Sequence, residues 1–313
     1  MSATNETAEK TAADERCASC GTAGGDEGVT LKNCTACYLV KYCGVECQRN
    51  HRPQHKRECK RRAAELKDEL LFKQPESSHL GDCPICLLPI PLASSKDAEK
   101  PGVYQCCSKI VCNGCIYANL LRETEARLPP SCPFCRTPEP TSDEEGSQLA
   151  MKRAAANDPI VVCNVGMGHF RVGNFAAAID VFKMAAELGH MPSHHHLACL
   201  YHEGGNGIEM DMRKAKYHME LAAIGGHPIA RHNLAFLEEG GGNMERAVKH
   251  LIIAANLGYD PSMKALKEFY ERGVVNKEDF TATLLAYQAA VDATKSPLRE
   301  AAESARRMVQ RGV

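Results

Sequence analysis

From about residue 150 the chain sets apolar residues, many of them alanine, at helical spacing and closes each run on glycine. The phrases AAELGH (185–190), AAIGGH (222–227) and AANLGY (254–259) mark the ends of three helices, and AYQAAV (286–291) marks a degenerate fourth. Their aligned alanine pairs lie 37, 32 and 35 residues apart, the period of a stacked repeat. Before each runs a second helical stretch ending in glycine: VVCNVGMGHFRVG, SHHHLACLYHEGG, IARHNLAFLEEGG and SMKALKEFYERG. The pattern predicts helix, turn, helix, four times over, each pair burying its apolar face only against its neighbours. Upstream, KRRAAELKDELLFK predicts a charged helix that stops before Pro75.

Composition divides the rest. Residues 1–16 are polar and acidic and read as a disordered tail; 17–59 hold one cysteine group; 60–79 form a helical spacer; and 80–136 hold a second group. The acidic, proline-containing TPEPTSDEEGS opens a linker at 137–149, the repeats fill 150–294, and 295–313 read as a capping helix or tail. The expected fold class is mainly α: two small zinc modules followed by an α-solenoid of about four helix-turn-helix repeats.

Lys and Arg number 38 against 39 Asp and Glu among 313 residues, so no polyanion-binding field is expected and nucleic acid is not the default partner. No run of 18 apolar residues occurs and the N-terminus has no apolar segment, so the expectation is a protein of the cytoplasm or nucleus, neither secreted nor membrane-spanning. The basic cluster KRECKRR (56–62) reads as the solvated face of a helix.

The cysteines change the picture most. Fifteen of 17 lie between Cys17 and Cys135, largely as C-x-x-C pairs, the bite of a tetrahedral zinc rather than a disulfide framework. Cys17 and Cys20, Cys34 and Cys37, Cys43 and Cys47, and His55 and Cys59 make eight potential ligands, enough for two zinc ions. The last two pairs have i,i+4 spacing, which puts both members on one face of a helix. His55, not His51, keeps that spacing to Cys59. The segment YCGVECQRNHRPQHKREC closely resembles the MYND finger over residues 17–59. That resemblance implies that the first and third pairs share one zinc and the second and fourth the other, in a finger that docks short proline-containing peptides. Arg52 stands where the family usually has a tryptophan.

The second group offers Cys83 and Cys86, Cys106 and Cys107, Cys112 and Cys115, and Cys132 and Cys135. CPIC and CPFCR bracket a C-x-x-C that runs into the helical CIYANLLRETEARL, and residues 83–136 thereby resemble a RING finger. Cross-bracing of that kind implies one zinc on Cys83, Cys86, Cys112 and Cys115 and another on Cys106, Cys107, Cys132 and Cys135, about four zinc ions per chain in all. The family's second pair is Cys and His one residue apart; here it is two adjacent cysteines, with Lys109 where the His would be. The resemblance implies a ubiquitin ligase without a covalent intermediate, which holds a ubiquitin-loaded conjugating enzyme for attack by a substrate lysine. By position, Ile85, Pro133 and Phe134 would form the docking patch and Arg136 would pin ubiquitin, while Asn119 occupies the usual aromatic position on the helix.

The stretch HHHLACLYHEGGNGIEMDMRKAKYHMELAAIGGH strongly resembles a Sel-one-like repeat, a relative of the tetratricopeptide family, with GNGI in the inter-helix loop. Such arrays bind protein segments on a concave surface and carry no catalytic residues. His194 to His196, Cys163 and Cys199 read as surface or packing residues of the repeats. Taken together, the resemblances imply either a RING-type ligase whose repeats and MYND-like finger bind the protein substrate, or a non-enzymatic adaptor.

Overall fold

The computed structural model describes residues 16–25, 28–92 and 100–310, so the tail expected at 1–16 lies, but for Arg16, outside the described residues. The chain divides into two compact units, residues 1–73 and 74–313. In the first, β1 (Lys32–Asn33) and β2 (Lys41–Tyr42) form a short antiparallel hairpin, and α1 (Val45–Leu71) follows. Its interior is Cys17, Cys34, Cys37 and Tyr42, with Cys43, Cys47 and Cys59 packed against them. A core made of thiols and one tyrosine has too little apolar area to stabilise itself.

α1 corrects the sequence reading in two ways. Cys43 precedes the helix, whose N-cap is Gly44, so only Cys47, His55 and Cys59 ride on it. The spacer expected from residue 60 is no separate helix but the continuation of the one that carries His55 and Cys59. That continuation is rich in charge, ends on the buried Leu71, and is laced by Arg61 to Glu58 and Glu65 and by Arg62 to Glu65 and Glu69.

In the second unit, β3 (Gly102–Tyr104) pairs antiparallel with β4 (Lys109–Val111), and α2 (Asn113–Ala126) follows. Within the stretch read as an acidic linker, 137–149, a helix begins: α3 runs from Asp143 to Ala155. The Ser142 hydroxyl accepts the Glu145 N–H, while the Glu145 carboxylate accepts the Thr141 N–H and hydroxyl. This variant of the capping box, with acidic residues in the first turn, turns the charge run into a helix start.

Eight helices then form four antiparallel pairs: α4 (Pro159–Arg171) with α5 (Phe175–Glu187), α6 (Met191–Glu203) with α7 (Met212–Ile224), α8 (Pro228–Gly240) with α9 (Met244–Asn256), and α10 (Asp260–Glu271) with α11 (Lys277–Ala293). The second helix of each pair starts on Asn174, Asp211, Asn243 or Asn276. The repeat is legible in what it buries. Ala178, Ala215 and Ala247, then Ala185, Ala222 and Ala254, and Leu197, Leu234 and Leu266 recur at equivalent places and are all 0% exposed. Small residues let the backbones approach: a Cβ on Gly166 would lie 2.7 Å from the Phe182 ring. The α6–α7 connection is the long one, residues 204–211, pinned by a bridge between Gly205 and Ile208. α12 (Pro297–Gln310) leaves the array and packs along α2.

A second contact ties the start of this unit to the array. The His79 N–H donates to the Gly226 carbonyl at 3.0 Å, and the His79 ring lies 4.2 Å from that of His227, on which His195 stacks at 4.5 Å. Burial holds His79 and His195 at about 4, and His227 well below its ordinary range. His190 and His227 are helix N-caps, as their place after glycine suggests, and the His227 ring accepts the Ala230 N–H. No helix among the described residues is long and apolar enough to cross a membrane.

Candidate metal centres

Four of the five C-x-x-C pairs close in the same way, the exception being Cys112 and Cys115, which open α2. The N–H two bonds past the second cysteine's α-carbon donates to the carbonyl of the first: Gly21 to Cys17, Tyr38 to Cys34, Leu87 to Cys83 and Arg136 to Cys132, all at 2.9 Å. To make this turn the four residues take positive φ, 77°, 58°, 59° and 63°. Only one is glycine, although the left-handed region costs other residues about 1–2 kcal/mol. The turn aims both sulfurs at one point.

Four clusters result: Cys17, Cys20, Cys43 and Cys47; Cys34, Cys37, His55 and Cys59; Cys83, Cys86, Cys112 and Cys115; and Cys106, Cys107, Cys132 and Cys135, the ligand atoms of each within 4.8 Å of one another. Tetrahedral zinc with Zn–S near 2.3 Å needs sulfurs about 3.8 Å apart. The chain supplies Cys34–Cys59 at 3.7 Å, Cys83–Cys115 at 3.8 Å, Cys86–Cys112 at 3.7 Å and Cys107–Cys132 at 3.8 Å. Cys20–Cys43 at 3.5 Å and Cys106–Cys135 at 3.4 Å are slightly tighter. All 17 cysteines are free thiols. The donor sets therefore fit zinc: each of the four clusters can bind one ion, whose chemistry here is structural.

His55 turns Nε2 to Cys37 Sγ at 3.1 Å. His51 stays outside the cluster: its ring stacks on that of His55 with centroids 5.6 Å apart, and its Nδ1 shares a 3.1 Å hydrogen bond with the Tyr42 hydroxyl. The adjacent pair works because Ser108 takes φ 51° and its N–H donates to the Tyr104 carbonyl at 2.7 Å, a turn sharp enough to send both thiols into one cluster. Crowding divides the thiols. Burial raises Cys17 and Cys34, but backbone N–H donors outweigh it and bring both to about 6, whereas hydrogen bonding to Cys47 pushes Cys43 to about 12. A dication displaces the remaining protons, so metal affinity falls as pH falls.

Of the expected docking residues, Ile85 is 42% and Phe134 41% exposed, while Pro133 is buried. Arg136 is exposed, yet its Nη1 donates to Asn119 Oδ1. Asn119 is itself buried and donates to the Glu123 carboxylate at 2.9 Å and the Ser131 carbonyl at 3.0 Å. On the first module a cavity of about 440 Å³ lies beside the Cys34 cluster, and its lining includes Thr35, Tyr42 and Val45 together with the cations Arg49, Arg52, Lys56 and Lys60. Sequence reasoning missed the last four as a group; they stand on α1 at offsets of three and four, which was the available signal.

These elements define a class: a zinc-finger protein whose fingers precede an α-helical repeat array. Residues 17–59 match the family model of the MYND finger. Among solved structures, the chain is similar to a Sel1 repeat protein from Oxalobacter formigenes, at 19% identity and TM-score 0.42, with 56% of this chain and 72% of that one covered. It is also similar to a protective antigen of uropathogenic Escherichia coli strains displaying an SLR fold, at 13% identity and TM-score 0.31, with 53% and 52% covered. Comparison with curated proteins finds no match.

Proposed function

We propose that the second module acts as a RING-type ubiquitin ligase, holding a ubiquitin-loaded conjugating enzyme while the repeats and the first finger bind the protein substrate. The observation that carries this reading is the order of the ligand sets, first pair with third and second with fourth, which leaves Ile85 and Phe134 together with Arg136 outside both clusters and on the surface. Catalysis of this kind is orientation of a thioester, and no residue of the chain forms a bond to ubiquitin. The first finger contributes a groove whose Tyr42 and Val45 suit a proline-containing segment and whose four cations favour acidic flanks. With zinc bound, the three thiolates of the Cys34 cluster leave one net negative charge, which four cations exceed.

One observation favours the non-enzymatic adaptor instead: the Arg136 guanidinium is already engaged by Asn119, inside the module. Discharge of ubiquitin from a panel of charged conjugating enzymes to free lysine separates the two. For a ligase, Ile85→Ala weakens enzyme binding by about 1–3 kcal/mol, the worth of an apolar residue at the centre of an interface. Arg136→Ala leaves that binding intact and slows discharge. Discharge by wild type at the rate of the conjugating enzyme alone, across the panel, leaves the adaptor.

A further inference from the structure

The C-terminal helix returns to the second module and reaches one of its ligand clusters. Gly114, between Cys112 and Cys115, is buried under the start of α12: a Cβ there would lie 2.8 Å from Arg299 Cγ, 2.9 Å from the Arg299 backbone nitrogen and 3.1 Å from the Leu298 carbonyl carbon. From that close approach the Arg299 side chain spreads over the Cys83–Cys86 turn. Nη1 donates to the Pro89 carbonyl at 2.7 Å and to the Thr294 carbonyl at 2.5 Å, and Nη2 donates to the Leu88 carbonyl at 3.2 Å and to Cys86 Sγ at 3.4 Å. One guanidinium thus joins the α11–α12 turn, the backbone after the first knuckle and a sulfur of the cluster. The Ser296 hydroxyl accepts the Arg299 N–H at 3.3 Å and fixes the first turn of α12.

Four thiolates around a zinc ion leave two net negative charges, and a planar cation that donates to a ligand sulfur offsets part of that charge while fixing the ligand's direction. We propose that Arg299 is an outer-sphere positioning residue of the zinc held by Cys83, Cys86, Cys112 and Cys115, and that α12 is therefore a part of this metal centre: helix and ion stabilise each other. The inference rests on zinc filling this cluster and not on the ligase reading.

The test uses the full zinc-loaded chain and a chromophoric chelator in excess, which resolves release of the individual equivalents. In Arg299→Gln one equivalent leaves about 10–100 times faster than in wild type, the usual effect of losing an outer-sphere partner, and the others keep their rates. Arg299→Lys falls between, since an ammonium keeps the charge but not the fork. Gly114→Ala, which touches no ligand and suits a helix, displaces α12 and speeds the same equivalent. By reciprocity, protease cleavage within 295–310 comes earlier in both variants and in chelated wild type. Arg299→Gln and Gly114→Ala releasing every equivalent at wild-type rates overturns the proposal. So does a Cys83→Ser, Cys115→Ser double variant whose zinc content equals that of wild type. Failure of ubiquitin discharge, measured separately, touches only the ligase reading.

Discussion

At Tyr38, Leu87 and Arg136 the chain places a side chain where the backbone favours none, and the metal turn it completes is what holds it there. Leu87 isolates this cost because it is 73% exposed and gives up little packing when replaced. Leu87→Gly is expected to stabilise the second module by up to about 1 kcal/mol, and Leu87→Val to destabilise it by about 1–2 kcal/mol, since a β-branched residue resists positive φ. The chelator concentration at half-unfolding measures both. The knuckle ligands were legible in the sequence because a two-residue gap is local. His55 was legible too, from a four-residue helical spacing. Arg299 was not: it meets Cys86 across 213 residues, and no local pattern marks an arginine as the partner of a distant thiolate.

Helices of the repeats announced themselves through alanine, glycine and caps, all short-range signals, and the four pairs stand where the phrases ended them. α3 went unread because its acidic run was weighed as composition, although Ser142 and Glu145 already had capping-box spacing. α1 was divided at residue 60 because composition changes there, while a helix ladder ignores such a change if nothing breaks it. Within the array, close packing is the stricter demand. Gly166→Ala improves intrinsic helix propensity, yet its methyl meets a buried ring at 2.7 Å, so α4 and α5 must part. A net destabilisation of about 1–3 kcal/mol is expected by thermal or urea unfolding. An unchanged or raised midpoint would mean that Phe182 yields easily.

Across the whole chain the two kinds of core respond to different agents. Zinc binding is folding free energy for modules whose interior is mostly ligand, on the order of 10 kcal/mol or more per structural site. Chelation is expected to unfold the region of residues 17–135 while the repeat helices keep their circular dichroism, and freshly purified protein should hold about four zinc ions by elemental analysis. Acid acts on the array as well. His79, His190 and His195 are held at about 4 by burial, against about 6.5 in an unfolded chain, with neighbouring His196 opposing protonation of His190 and His195 and Asp158 favouring that of His190. Depressed histidines contribute stability that is complete above about pH 6.5 and lost as pH falls toward 4. Wild-type melting temperature, measured with zinc in excess, is therefore expected to drop between pH 7 and about 5, and His79→Phe, which keeps a ring against His227, should flatten that slope. The repeat spacing carries one more consequence. The first two offsets, 37 and 32, differ by five residues, and the α6–α7 connection (204–211, eight residues) exceeds the α8–α9 connection (241–243, three residues) by the same five. Helix lengths and stacking are untouched by that difference, so the array keeps time by its helices and not by its sequence interval. The 204–211 loop is accordingly the place where this chain can accept foreign sequence: doubling its length costs only about 0.6 kcal/mol of closure entropy, which makes it the natural port for an epitope, a reporter or a new recognition loop.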